Sequence, residues 1–415
     1  MRETKAEIIS IGDELLIGQV VNTNATWIAS EFNKNGIEVG KIICIKDSLS
    51  DIFEALNNSK ENIVILTGGL GPTKDDITKR ALCNYFNSKL IFHTPTFENI
   101  KSLFGKRNYP LTEVNKNQAL IPDNCYPLFN KYGTAPGMWF ETGDKVVVSM
   151  PGVPFEMKAM VTNELIPKLK QRYNLKNIIH RTIMTIGVGE SMLAEMISDW
   201  EDNLPAHIKL AYLPQPGIVR LRLSTYNTNN AKASSEIESY IIKLMDIIPN
   251  KIFGYDDVRL EQVVGNLLSE KGKSLATAES CTGGYIAHLI TSISGSSDYF
   301  KGSIVSYAND VKINQLTVSP SDIEIHGAVS KEVVEQMAIG GRKLLNTSYC
   351  LATSGIAGPK GGTKEKPVGY VWIALATFEG VSSKQFQFGE HRGRNIHRSA
   401  LAALNMLRKE LIKQM

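Results

Sequence analysis

Apolar positions in the first third of the chain fall in short continuous runs, AEIISIG, IEVGKIICI and NIVILTGG, separated by stretches of helical spacing. Runs of that length describe strands covered on both faces. Between them, NTNATWIASEFNKNG reads as a helix capped by Asn22 or Thr23 and ended by Gly36, followed by a helix in DIFEALNNS and another from Asp75 onward. The alternation predicts parallel βαβ units with helices on both faces. This doubly wound α/β domain spans 1–172 and closes on the strand, Pro/Gly turn and helix of KVVVSMPGVPFEMKAMV.

The pattern then changes. Over 178–252 a strand (IIHRTIMTIGV), a helix (GESMLAEMISDW), a hairpin turning at Pro214 to Gly217 and a closing helix (NAKASSEIESYIIKLMDII) make a small α+β module. PNKIFGYDD reads as a linker. From 257 to 415 an α/β pattern restarts, with helices over 258–270, 281–292, 330–345 and 395–413. Its strands lie in SLATAES, FKGSIVSYA, SYCLATSG, GYVWIALAT and 383–388. The whole is a multidomain α/β chain.

Composition narrows the classes. A chain of 415 residues exceeds one ordinary core, and 43% apolar with 21% charged residues is globular. The net charge of +4 carries no basic block, so neither a nucleic-acid surface nor a membrane surface is expected. No apolar run approaches the roughly 18 residues of a membrane span. Five scattered cysteines without a C-x-x-C pair suit a reducing cytoplasm. Seven histidines without H-E-x-x-H argue against a histidine-based metalloenzyme.

Chemistry concentrates where strands run into helices, the place where α/β sheets bind ligands. TAESCTGGYIAHLI sets Ser280 beside Cys281, with Gly283 and Gly284 leaving the approach open. Alone, Ser280 reads as a helix cap. Tyr307 and Lys312 in IVSYANDVKINQ, with a second Gly-rich loop in ATSGIAGPKGGTKEKPVG, raise a catalytic reading. A serine hydroxyl needs a base, and a buried lysine relayed through a tyrosine is one. At the other end, LTGGLGPTKDDITKRAL brings Gly68, Gly69, Gly71 and Thr73, the last a helix cap. Asp75 and Asp76 there read equally as dipole complements or metal ligands. With Glu14 or Asp13 and Glu156 they form a carboxylate set suited to a hard divalent cation beside a phosphate, with Gly12, Asn22 and Asn24 as further contacts.

The motifs TAESCTGG, GSIVSYANDVK, HGAVSKEVVEQMA, SGIAGPKGGTKEKPVGYVW and GRNIHR, in that order, resemble the CinA family of competence/damage-inducible proteins, a likeness that covers essentially the whole chain. The resemblance implies a C-terminal nicotinamide mononucleotide (NMN) amidohydrolase that needs no cofactor. It makes Ser280 the nucleophile, Tyr307 and Lys312 its activators, and backbone N–H groups at Cys281 to Gly283 the oxyanion donors. Thr277, Cys281, Thr282, Gly283, Ser354, Gly355 and Gly358 become candidate substrate contacts, and Arg394 and Arg398 phosphate partners.

The motifs GDELL, TGGLGPTKDD and MPGVP resemble the molybdopterin-binding-like fold, which in this family implies a metal-dependent ADP-ribose pyrophosphatase. Molybdopterin binding without hydrolysis, or an association with competence and DNA recombination, is the alternative. The middle region resembles a KH-type module but lacks G-x-x-G, so it reads as a spacer or dimerisation element. A homodimer is the family expectation.

Overall fold

The computed structural model describes residues 4–71, 77–106, 109–175, 178–226 and 230–413. They fold as two compact units, 1–179 with 226–232 and 180–225 with 233–415. No helix among the described residues is long and apolar enough to cross a membrane.

The first unit is built on a six-stranded sheet in the order Glu38–Ile45, Lys5–Ile11, Ile63–Thr67, Lys145–Met150, Gly137–Thr142, Tyr126–Leu128. The first four strands are parallel. Along Lys5–Ile11, Ala6 and Ile8 enter one apolar cluster with Ile28, Phe32 and Met157, while Ile9 and Ile11 enter another with Ile52, Leu56 and Leu82. Successive side chains therefore feed opposite faces, which is why the run is apolar at consecutive positions. Gly137–Thr142 pairs antiparallel with both Lys145–Met150 and Tyr126–Leu128. Its reversal follows from a two-residue turn at Gly143 and Asp144, with Thr142 paired to Lys145. Gly143 sits at φ 57, the left-handed conformation such a tight hairpin needs.

In the second unit a four-stranded sheet runs Ile208–Gln215, Ile218–Tyr226, Ile178–Ile186, Ile252–Tyr255. The hairpin turns at Pro216 and Gly217, inside the expected segment. Residues Ile252–Tyr255, read from sequence as linker, instead pair antiparallel with Ile178–Ile186. Arg408, 4% exposed, holds that strand in place: its guanidinium donates to the carbonyls of Ile252 (3.1 Å) and Asn250 (3.4 Å). Met184, Ile186 and Phe253 share one core with Val264, Leu404 and Leu407 of the last third. Arg408→Ala leaves the buried Ile252 carbonyl without this donor, and the expected loss is about 1–3 kcal/mol of unfolding free energy in a urea titration.

The second sheet of this unit is ordered Phe300–Val305, Leu275–Glu279, Tyr349–Gly355, Tyr370–Ala376, Val381–Gln387. The first three strands are parallel, so their carboxyl ends share one edge. The last two return antiparallel.

Candidate functional site

Ser280 follows directly on the central strand of that edge. Its N–H donates to the Thr353 carbonyl (2.9 Å), and the preceding Glu279 carbonyl accepts from the Ser306 N–H (2.9 Å). Ser280 is thereby held between the ends of two neighbouring strands, one leading into Tyr307 and the other into Ser354.

The helix expected from 281 begins only at Tyr285 and runs to Thr291. Gly283 (φ 59) and Gly284 (φ 93) are left-handed, which delays the helix, and Gly284 rather than Ser280 is the residue before its first turn. Glu279 takes over the capping. Its fully buried carboxylate accepts the N–H groups of Gly284 (3.0 Å), Ile286 (3.0 Å) and Ala287 (2.9 Å), with Thr277 (3.3 Å) and Ser303 (3.4 Å) donating hydroxyls. The capping reading of Ser280 therefore fails, and its Oγ has no hydrogen bond among the described residues. Of the three expected oxyanion donors, Gly283 is spent on the Ser280 carbonyl (3.1 Å). The Cys281 and Thr282 N–H groups have no acceptor among the described residues.

Lys312 lies on a helix, Asn309–Leu316, that the sequence pattern did not reveal. It is 1% exposed, and its Nζ donates to the carbonyls of Ser306 (2.8 Å) and Tyr307 (3.3 Å). Burial lowers its pKa from the usual lysine value. A neutral amine has two N–H bonds and one lone pair. In that form the two carbonyls would use both N–H bonds and leave the lone pair unshared. Tyr307 is exposed, and its hydroxyl accepts from Arg392 (3.1 Å). Ser280, Tyr307 and Lys312 are thus gathered at one sheet edge without a direct bond among their side chains.

The Cys281 thiol is buried and pushed up to about 12, mainly by desolvation. At neutral pH it is protonated and a poor nucleophile.

Several expected contacts serve the frame. Thr277 holds Glu279; the Thr282 and Thr353 hydroxyls bond each other (2.7 Å); and the Ser354 hydroxyl donates to the Ala328 carbonyl (2.6 Å). Gly355 ends its strand where any Cβ would press on Val371 and the Tyr370 carbonyl. The Gly358 carbonyl accepts from Arg392 (2.8 Å). Arg392 is the residue that sequence reasoning passed over in favour of Arg394 and Arg398. It opens the final helix, Arg392–Lys413, and ties that helix both to Tyr307 and to the Gly358 loop. Arg394 is exposed, and Arg398 lies against the Phe388 ring (5.2 Å). The signal was present in the three arginines of HRGRNIHR, but only the tertiary bonds separate them.

In the first unit a cavity of about 490 Å³ opens at the carboxyl ends of the parallel strands. Gly12, Glu14, Asn24, Gly68, Gly69, Gly71 and Glu156 line it, as does Asp47, which sequence reasoning did not select. A side chain at Gly68 (φ 116) would collide with the Ile11 carbonyl, so the backbone approach there requires glycine. Asn24 donates to the Gly152 carbonyl (2.6 Å) and Thr67 (3.4 Å), and its Oδ1 is buried without a hydrogen-bond partner among the described residues. Asn22 instead caps its helix at Ala25 (3.1 Å) and bonds Ser10. Thr73, Asp75 and Asp76 lie outside the described residues. Among the described residues no three His, Cys, Asp or Glu side chains form a metal-binding group. Glu14 and Glu156 nevertheless line one cavity with hard oxygen donors, the chemistry a divalent ion prefers.

Family models match the chain in three consecutive stretches: a probable molybdopterin binding domain over 7–171, the damage-inducible protein CinA KH domain over 180–254, and the CinA C-terminal domain over 257–411. A CinA-like protein of Flavobacterium psychrophilum is 50% identical over 99% of both chains, and one of Cytophaga hutchinsonii is 46% identical over 98% of both. A crystal structure of the competence/damage inducible protein CihA from Agrobacterium tumefaciens is 36% identical, covering 37% of this chain and 93% of its own with a TM-score of 0.36. Three family models in succession and full-length relatives at this identity establish that the chain belongs to the CinA family.

Proposed function

We propose that the chain is a two-site nucleotide hydrolase, with an NMN amidohydrolase at the Ser280 edge. The observation that carries this reading is the open pair of N–H groups at Cys281 and Thr282 beside an unbonded serine hydroxyl, on the edge that holds the buried Lys312. Lys312 accepts the Ser280 proton, relayed through Tyr307, as the serine oxygen attacks the carboxamide carbon. The two N–H groups hold the tetrahedral oxyanion. Its collapse breaks the C–N bond, and the proton passes to the departing nitrogen, releasing ammonia. Water then hydrolyses the Ser280 ester by the same proton route, giving nicotinate mononucleotide. Arg392, with Arg394 exposed nearby in sequence, supplies positive charge for the substrate phosphate.

The cavity at Gly68 supports the second activity, cleavage of the pyrophosphate of ADP-ribose. Glu14, Glu156 and Asn24 would hold the divalent ion. Such an ion supplies polarisation of the phosphoanhydride and a more acidic water. The glycines at 69 and 71 let backbone N–H groups approach the phosphates, and Asn130 orients Glu156 by donating to its Oε2 (2.7 Å). The two activities separate cleanly. Chelation of divalent ions is expected to stop phosphate-ester release from ADP-ribose while ammonia release from NMN continues; loss of both would contradict a metal-free serine mechanism.

A further inference from the structure

His397 lies on the final helix, more than one turn past Arg392 and beside Ile396, which packs against the core of this unit. Its ring is half-buried, and Nδ1 hydrogen-bonds the Tyr285 hydroxyl (3.1 Å). The two rings meet edge to face, with centroids 5.9 Å apart and planes at 61°. His288, one turn along the helix that Tyr285 opens, lays its ring more nearly parallel to the tyrosine (centroids 6.1 Å, 28°). Tyr285 is thus bracketed by two imidazoles. Burial lowers the His397 pKa from the usual histidine value, and the buried Glu261, itself paired with Arg259 (3.6 Å), opposes that shift without cancelling it. The ring is therefore neutral at pH 7 and adds no cation to Arg394 and Arg398.

Tyr285 also closes the turn that carries the serine. Its N–H donates to the Thr282 carbonyl (3.0 Å), just as the Gly283 N–H donates to the Ser280 carbonyl (3.1 Å). These two bonds set the direction of the Cys281 and Thr282 N–H groups. Gly283 and Gly284 have no side chains to anchor the turn, so its far end is held at Tyr285 and by the Glu279 carboxylate. Across the site, the helix that carries His397 also carries Arg392, which bonds the Tyr307 hydroxyl (3.1 Å) and the Gly358 carbonyl (2.8 Å). The bond between Tyr285 and His397 therefore joins the serine segment to the helix that holds Tyr307.

We infer that His397 is a positioning residue for the amidase edge: through the Tyr285 hydroxyl it fixes the Ser280–Gly284 turn relative to the helix that carries Arg392. The inference rests on the amidohydrolase reading for the rate it affects. His397 exchanges no proton with the substrate, and its effect falls on the alignment of Ser280 and the two N–H groups with Tyr307.

The test compares full-length wild type with Tyr285→Phe, His397→Leu and His397→Asn, by NMN deamidation kinetics and by hydrogen exchange of the peptide spanning residues 280–290. Tyr285→Phe removes a single oxygen and keeps the ring, so it reports even if His397→Leu fails to fold. His397→Asn places an amide where Nδ1 stands and can still bond the phenol. In Tyr285→Phe and His397→Leu, kcat is expected to fall about five- to twentyfold with KM within about twofold. Exchange over 280–290 is expected to quicken about fivefold in both. His397→Asn is expected to stay within about threefold of the wild-type kcat. Unchanged kcat and exchange in Tyr285→Phe and His397→Leu overturn the inference and leave Glu279 as the holder of the turn. A loss in His397→Asn as large as in His397→Leu overturns it too, since the bond would then not be what matters. Wild type that releases no ammonia, with exchange still faster in Tyr285→Phe and His397→Leu, keeps the hold on the turn and removes the amidohydrolase reading.

Discussion

Ser280→Ala is expected to remove ammonia release from NMN, by about 10⁴-fold or more, while ADP-ribose hydrolysis stays at the wild-type rate. The expectation follows from the position of the hydroxyl. It hangs between two strand ends that Glu279 and Thr353 fix through backbone bonds, so its loss changes no packing. The rival nucleophile makes the experiment discriminating. Cys281→Ala removes a thiol that burial pushes up to about 12 and that is protonated near pH 7. That variant is expected to keep deamidation within about fivefold and to lose about 1–2 kcal/mol of stability for its buried sulfur. Deamidation lost in Cys281→Ala with a folded protein, and kept in Ser280→Ala, would reverse the assignment.

Lys312→Arg is expected to lower deamidation by about 10²- to 10⁴-fold, because a guanidinium stays protonated and cannot accept the serine proton. The pH profile carries the same information. Burial depresses the Lys312 pKa below the usual lysine value, so the neutral base forms at lower pH than for an exposed lysine. Activity therefore rises with pH along a limb below 10.5, and that limb disappears in the variant. Stability shifts in the same direction. With the folded pKa below the unfolded one, the unfolded chain binds the proton more tightly. Stability thus increases as pH climbs from the folded value toward the ordinary one, and the protonated lysine penalises the fold below that window. An acidic limb unchanged in Lys312→Arg would show that another group is the base.

The strands were legible because burial on both faces writes itself locally as continuous apolar runs. The 5–11, 63–67 and 275–279 strands needed no tertiary information, and the glycines after them located both strand-end sites. What stayed hidden depends on bonds between distant residues. Nothing in TAESCTGG announces that Glu279 will reach forward to cap the helix at Gly284, which moves its start to Tyr285, or that the Gly283 N–H will turn back to the Ser280 carbonyl and leave the oxyanion set. PNKIFGYDD looks like linker until Ile252–Tyr255 finds Ile178–Ile186 and Arg408 reaches the carbonyls beside it. Arg392 could not be told from Arg394 or Arg398 by composition, since its distinction is the bond to Tyr307. The family resemblance carried the substrate; the residues alone carried only an activated serine and an acidic phosphate cavity.

The most direct test of the Ser280 mechanism is to trap the acyl-enzyme. Full-length protein mixed with NMN and acid-quenched within the first turnovers is digested, and the peptide containing residues 280 and 281 is sequenced by mass spectrometry. The expected product is an ester on Ser280 whose added mass is that of NMN less ammonia, present in the wild type and absent from Ser280→Ala. The same adduct on Cys281, or ammonia release at the wild-type rate from Ser280→Ala, would contradict it.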